Sequence, residues 1–338
     1  MFKRSEIIDF SSHILPDRVV REVKGLNLRF KAHASKQVEV TFMHDHYRDT
    51  YLDKRIEILK RYGITAQVLS FGPVYLWELD YQDPQEFQKI LQRLTSVAND
   101  SIAEVVERYR DLFIGMCTLP TLEGWALEEL RRCYRDLRFK AVQIYSNVYG
   151  RPIDSQEFIH FYREVSALGL PVFIHPISHQ YYPWIYEYSL FQIFGWPFDT
   201  TLAMARLVFS GLMLEYPNIP FVTHHVGGMV PYYWGRIAGT YGSKELHGHR
   251  FRRLQEDPIQ IFKRFYADTA SFGVKETIEL GIKFFSPDRV VFGTDYPFGP
   301  EQGLKYLRDT IEAVKSMGLH EETLEKILYS NAARLLKI

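Results

Sequence analysis

Two cysteines in a chain of 338 residues leave no disulfide framework to hold a fold together. Cys117 lies in an apolar run of strand character and Cys133 in a charged, helical one, so both read as free thiols of a reducing compartment, the cytoplasm. Net charge is lacking too. Forty-one basic residues balance 41 acidic ones, which removes the basic field that nucleic acid or an anionic membrane surface would require. No apolar stretch approaches the length of a membrane span, and the opening MFKRSEIIDF has no apolar core of signal-peptide length. The first apolar run is not followed by the glycine-rich phosphate turn of an open dinucleotide-binding sheet; SSHILP stands there instead. Internal repeats, low-complexity tracts and linkers are also missing, so residues 1–338 read as one domain.

What is present is a regular alternation. Short apolar runs recur as IIDFSS from residue 7, AQVLSF (66–71), FIGMCTL (113–119), AVQIYS (141–146), PVFIH (171–175), FVTHH (221–225), FYADTA (265–270) and VVFGTD (290–295). Amphipathic stretches such as YLDKRIEILKRYG and EFIHFYREVSALG separate them. Eight strands alternating with helices predict parallel βαβ units, and eight is the number that closes a (β/α)8 barrel. Two connections depart from the pattern. Residues 17–51 form an irregular polar and aromatic insertion after the first strand, and 176–200 form a long aromatic connection after the fifth. Both leave C-terminal strand ends, where barrels build their pockets.

Polar residues gather at those same ends: His13, His175, His224 with His225, Asp268 and Asp295. A single histidine at a strand end is ordinarily a hydrogen-bonded structural residue. In a closed barrel, however, all C-terminal ends share one mouth, and His13, His175 and Asp295 become a set that suits zinc or another divalent transition metal.

The stretches IDFSSHILP, VFIHP, GWPFDTTLAMARLVFSGLMLEYPNIPFVTHHVGGMVPYYWGRI, VVFGTDYPFG and ILYSNAARLL occur in this order. With them the chain resembles the amidohydrolase-2 family, in particular its aminocarboxymuconate-semialdehyde and γ-resorcylate decarboxylases. The resemblance implies a distorted TIM barrel and a divalent metal, zinc foremost with manganese or magnesium as alternatives. It implies His13, His175 and Asp295 as metal ligands and His225 as the catalytic acid or base, with Asp295 contributing to catalysis. His224 is then the neighbour of His225 on the opposite strand face. The family's other strand-one ligand position, a histidine or glutamate, falls on Ser11, a poor ligand for such an ion. Arg236 of WGRI matches an arginine brought to the substrate carboxylate across a homodimer interface.

The activity implied is decarboxylation of a small cyclic, aromatic or muconate-type carboxylate, with neither nucleic acid nor membrane as partner. A hydrolase of amides or lactones, with or without metal, would use the same residues, and Ser11 leaves open a scaffold without chemistry. Arg48 or His46 of MHDHYRD, read as a solvated turn, and His179 are further candidates for contact with substrate. His247 and His249 read as surface or interface residues.

Overall fold

The computed structural model describes residues 6–26, 28–72, 74–177, 183–242 and 254–338. Each apolar run forms a strand: β1 (Ile7–Ile14), β2 (Ile64–Phe71), β3 (Phe113–Thr118), β4 (Ala141–Tyr145), β5 (Val172–His175), β6 (Phe221–Thr223), β7 (Tyr266–Asp268) and β8 (Val290–Val291). Every neighbouring pair in this order is parallel. The segment after β8 returns to β1 through a parallel bridge between Ser12 and Tyr296. Phe10 N–H donates to the Phe292 carbonyl at 2.8 Å and His13 N–H to that of Tyr296 at 2.7 Å. The sheet thereby closes into a distorted (β/α)8 barrel, as the strand count predicts.

Two apolar layers follow from strand alternation. Ile8, Phe10, Val68, Met116, Ala141, Phe173, Val222 and Val291 fill the barrel, and the terminal helix Asn331–Leu336 lays Ala332, Leu335 and Leu336 against the same cluster. Asn331 fixes that helix by donating to the carbonyls of Pro287 and Val290, both at 2.8 Å. The outer layer is the strand–helix interface. In the helix Pro84–Arg108 the Asp83 carboxylate caps the Gln85 N–H at 2.8 Å, and Leu91, Leu94, Ala98, Ile102 and Val105 form one buried stripe at helical spacing.

The insertion is less irregular than its composition suggests. Residues 17–51 contain helices Asp17–Gly25 and Ala32–Phe42 and two single 3-10 turns, Asp45–Tyr47 and Asp49–Tyr51. Ala34, Val38 and Thr41, spaced i, i+4, i+7, are the buried face of the second helix. That stripe is narrow and the rest of the segment polar. In the connection after β5, a π-helical turn at Phe191–Gly195 runs into the helix Trp196–Phe209.

Candidate active site

The site begins with a bulge. Asp9 lies opposite Gln67 but Ser12 lies opposite Leu69, so β1 carries one residue more than β2 over this interval. A bulge shifts the phase of a strand and re-aims its side chains. Phe10 therefore points into the barrel, and His13, three residues on, faces the mouth with its ring 5.1 Å from that of His175. Gly72 follows β2 because a Cβ there would meet the Cβ of His13 at 2.6 Å.

Three imidazoles are aimed by their Nδ1 atoms. His13 Nδ1 lies 2.9 Å from Ser70 Oγ, whose hydroxyl can itself donate to the Ser12 carbonyl at 3.4 Å and so accept from the ring. His175 Nδ1 donates to the Pro176 carbonyl at 2.8 Å. His224 Nδ1 meets a carboxylate oxygen of Asp268, whose other oxygen accepts from Ala270 N–H at 3.2 Å and Val226 N–H at 3.4 Å. Each ring is left with Nε2 as the free donor atom. His13 Nε2 lies 3.1 Å and His224 Nε2 3.4 Å from Asp295 Oδ1. All three of those atoms are buried without a well-formed hydrogen bond. One donor atom from each of His13, His175, His224 and Asp295 falls within 4.8 Å of all the others. The Phe173 ring, 5.1 Å from His224 and 6.3 Å from His175, forms an apolar floor.

Unsatisfied buried acceptors are costly. Three imidazoles, each with the far nitrogen engaged by an oxygen, together with one carboxylate, are the donor set that a divalent cation satisfies. His224 is thus part of the cluster, not on the opposite face as strand alternation predicts. The reason is local: β6 ends at Thr223, His224 is still extended, and His225 and Val226 then adopt φ of 52° and 56°. Both neighbouring side chains turn toward the mouth, with rings stacked 3.7 Å apart. Asp295 also has a positive φ, 62°. Left-handed backbone at non-glycine residues is strained and persists where surrounding structure enforces it.

His225 differs from the other three. Its Nδ1 has no partner, its Nε2 lies 3.9 Å from Asp295 Oδ2, and its side chain is 10% accessible from the cavity, against 0% for His224. Burial and the neighbouring His224 lower the pKa of His225, with Asp295 opposing. Burial also pulls His224 down, but Asp268 and Asp295 outweigh it and lift the imidazole to about 10. Burial would raise Asp295, yet His13, His224 and His225 hold it well below the ordinary carboxylate range.

Above the cluster opens a cavity of about 690 Å³. Tyr47, Tyr75, Trp196, Phe272, Phe298 and Tyr306 supply aromatic walls, and Gln37, His44 and Gln192 supply polar groups. Among its described lining residues there is no lysine or arginine. Arg48 does not reach it: the guanidinium pairs with Asp17 and donates to the Phe42 carbonyl at 2.8 Å, so it ties the insertion's two helices together. His46 is buried beside Tyr47, and its neighbour His44 lines the cavity instead. Arg236 lies exposed on the helix Val230–Gly242, outside the cavity of its own chain. Ser11 is buried with its hydroxyl against Asp268, without a well-formed hydrogen bond. His179, His247 and His249 lie outside the described residues. Ser70 escaped the sequence reading, because nothing in AQVLSF marks its serine as the partner of a histidine 57 positions away.

A parallel barrel that brings imidazoles and a carboxylate to one point at its C-terminal mouth defines a class, the (β/α)8 enzymes that work around a bound cation. The sequence makes the class specific. The chain belongs to the amidohydrolase family, whose model matches residues 8–338. It is 29% identical over 343 residues to 2-amino-3-carboxymuconate-6-semialdehyde decarboxylase of Dictyostelium discoideum, covering 98% of this chain and 92% of that one. It is 26% identical to γ-resorcylate decarboxylase of a Rhizobium species, covering 85% and 87%. Its fold resembles that of 5-carboxyvanillate decarboxylase from Novosphingobium aromaticivorans, solved with manganese and 3-methoxy-4-hydroxy-5-nitrobenzoic acid. That likeness has a TM-score of 0.82 at 23% identity and covers 99% and 98% of the two chains.

Proposed function

We propose that the chain is a metal-dependent decarboxylase of a small cyclic, aromatic or muconate-type carboxylate. The observation that carries this reading is the convergence of His13 Nε2, His224 Nε2 and Asp295 Oδ1, buried and without a well-formed hydrogen bond, beneath an aromatic-walled cavity that Asp295 lines. Relatives of near-equal length with decarboxylase activity support the reaction class.

His13, His175 and Asp295 would hold the ion. Zinc suits a nitrogen-rich set and manganese is its competitor. When bound, a divalent cation anchors substrate oxygens and withdraws electron density from the ring or alkene. The chain's own residues do the rest. Tyr47, Trp196 and Phe298 sandwich a planar acid and exclude water. His225, facing the cavity with its Nδ1 unpartnered, delivers a proton to the carbon that bears the carboxylate. The carbon–carbon bond then breaks, CO2 leaves, and the bonding pair restores the unsaturated system. A bound substrate anion raises the imidazole's pKa again, which keeps the proton available near neutral pH.

The carboxylate that leaves needs a cation in place beforehand, and Arg236 is the candidate. It lies on a helix that exposes Tyr232, Tyr233 and Trp234. Met229 N–H, just before that helix, donates to Thr201 Oγ1 at 2.8 Å, which sets it beside the segment that exposes Ile193 and Phe194. An apolar face of this size next to the cavity suits a second copy of the chain, and a homodimer would carry Arg236 toward the partner's site. Both cysteines are free and buried, and no described helix is long and apolar enough to cross a membrane; a cytoplasmic enzyme fits both facts.

The test is a screen of hydroxybenzoates, vanillate-type acids and muconate semialdehydes for CO2 release by zinc- and manganese-loaded protein. Release from at least one class is expected. Hydrolysis of lactones or amides with no CO2 from any acid would refute the proposal.

A further inference from the structure

The cluster contains a donor that the paired strand-one positions do not account for. Of those positions His13 is present, but Ser11 replaces the imidazole or carboxylate. We propose that the missing donor is supplied by His224 at the end of β6, aimed by Asp268, and that the small side chain at Ser11 is what leaves room for that pair. This rests on the metal-dependent reading given above and extends it to the identity of the ligands.

Three observations carry the assignment. His224 repeats the arrangement of His13 and His175: Nδ1 engaged by an oxygen, Nε2 free, buried and within reach of Asp295. Metal-bound histidines are oriented in this way by a carboxylate or carbonyl behind the ring. His225, one residue on, has neither the partner nor the burial, so the two adjacent histidines divide into a ligand and a group free to exchange protons.

Ser11 is buried, with Gly293 and Asp268 packed beside its side chain. A Cβ built on Gly293 would collide with Ser11 Oγ and come within 2.9 Å of the Asp268 Cβ, so the serine hydroxyl, Gly293 and Asp268 are already in contact. Asp268 is pinned in turn by Val226 and Ala270 N–H. An imidazole at position 11 would have to displace the carboxylate that holds His224. The two sources of the donor are therefore mutually exclusive: a long residue on β1, or His224 braced by Asp268 with a short residue on β1.

The experiment counts coordinated imidazoles by electron spin-echo spectroscopy of the Cu2+-loaded protein and measures zinc affinity by chelator competition. Wild type should show three imidazoles. His225→Gln should also show three, which excludes His225 as the third. His224→Gln should show two and lose more affinity than the roughly tenfold to hundredfold expected from an outer partner. Asp268→Asn should keep three with a loss inside that roughly tenfold to hundredfold range. Ser11→Ala should change neither reading, and Ser11→His should weaken zinc binding. Circular dichroism of the metal-free variants separates loss of fold from loss of a ligand; if His224→Gln does not fold, the counts for wild type and His225→Gln decide. Two imidazoles in wild type, a His224→Gln protein of unchanged affinity, or a Ser11→His protein that binds more tightly would each overturn the assignment. Wild type that takes up no metal would overturn the metal-dependent reading itself, and this inference with it.

Discussion

Asp9 is wholly buried behind the site, and its substitution by asparagine makes a demanding test of the barrel's closure. Asp9 Oδ1 accepts from Thr294 N–H at 3.0 Å, and Oδ2 accepts from Thr294 Oγ1 at 2.7 Å and Gln67 Nε2 at 2.8 Å. Gln67 cannot turn over, because its Oε1 accepts from the buried Arg55 Nε at 2.8 Å and guanidinium only donates. Position 9 must therefore accept on both oxygens. Burial nevertheless outweighs those hydrogen bonds and raises the carboxyl from 3.8 to about 6.

The sign follows directly. The folded protein holds this proton more tightly than the unfolded chain, so the contribution of Asp9 to stability is greatest below pH 3.8 and is lost as pH rises through about 6. A rise of about two pH units corresponds to about 3 kcal/mol, of which roughly half is already lost at pH 5 and all of it at pH 7.5. Asp9→Asn removes that penalty but sets its amide against the Gln67 or Thr294 donor, at about 1–3 kcal/mol. Urea unfolding of metal-free protein should then find the variant near wild type at pH 7.5 and about 1–2 kcal/mol worse, relative to wild type, at pH 5. A stability difference independent of pH, or one that grows with pH, would refute the account of a carboxyl whose burial dominates.

Two further outcomes concern the site. Asp295→Asn should abolish turnover and reduce bound metal with the fold intact, whereas His225→Gln should abolish turnover and retain metal, as turnover and metal content measured in parallel will show. Mixing inactive Arg236→Ala with inactive Asp295→Asn subunits should restore up to roughly a quarter of wild-type activity, since half of randomly formed dimers carry one intact site; no recovery, with subunit exchange shown by mass spectrometry, would place Arg236 in its own chain's site or outside catalysis.

The barrel was legible because each strand is a short apolar run, and several of those runs lead into a polar residue that needs a reason to be there. His13, His175 and Asp295 could be grouped from sequence on topology alone, since a closed parallel barrel gives its strand ends one mouth. The helices inside residues 17–51 were not legible: Ala34, Val38 and Thr41 form a buried stripe that only packing reveals, and the Ala32–Phe42 helix draws no side-chain cap from Lys31. Arg48 of MHDHYRD stood as a candidate for contact with an anionic substrate. Here the anion is Asp17, 31 positions back. Sequence proximity to a site does not show which way a long side chain leaves the backbone.

Strand alternation is reliable only while the strand lasts. It fails on β1, where one extra residue puts Phe10 and His13 on the same side, and again after β6, where two residues with positive φ turn His224 and His225 to the same mouth. The second failure sits where two neighbouring side chains converge on the site, which a regular strand forbids. The loss at Ser11 and the turn after β6 then become one structural fact. On the assignment proposed above, a short residue on the bulged strand lets Asp268 hold His224, and His224 in that position would leave His225 as the ring to move a proton. A serine that looks, from the sequence, like damage to the site would then be the condition for a different set of donors.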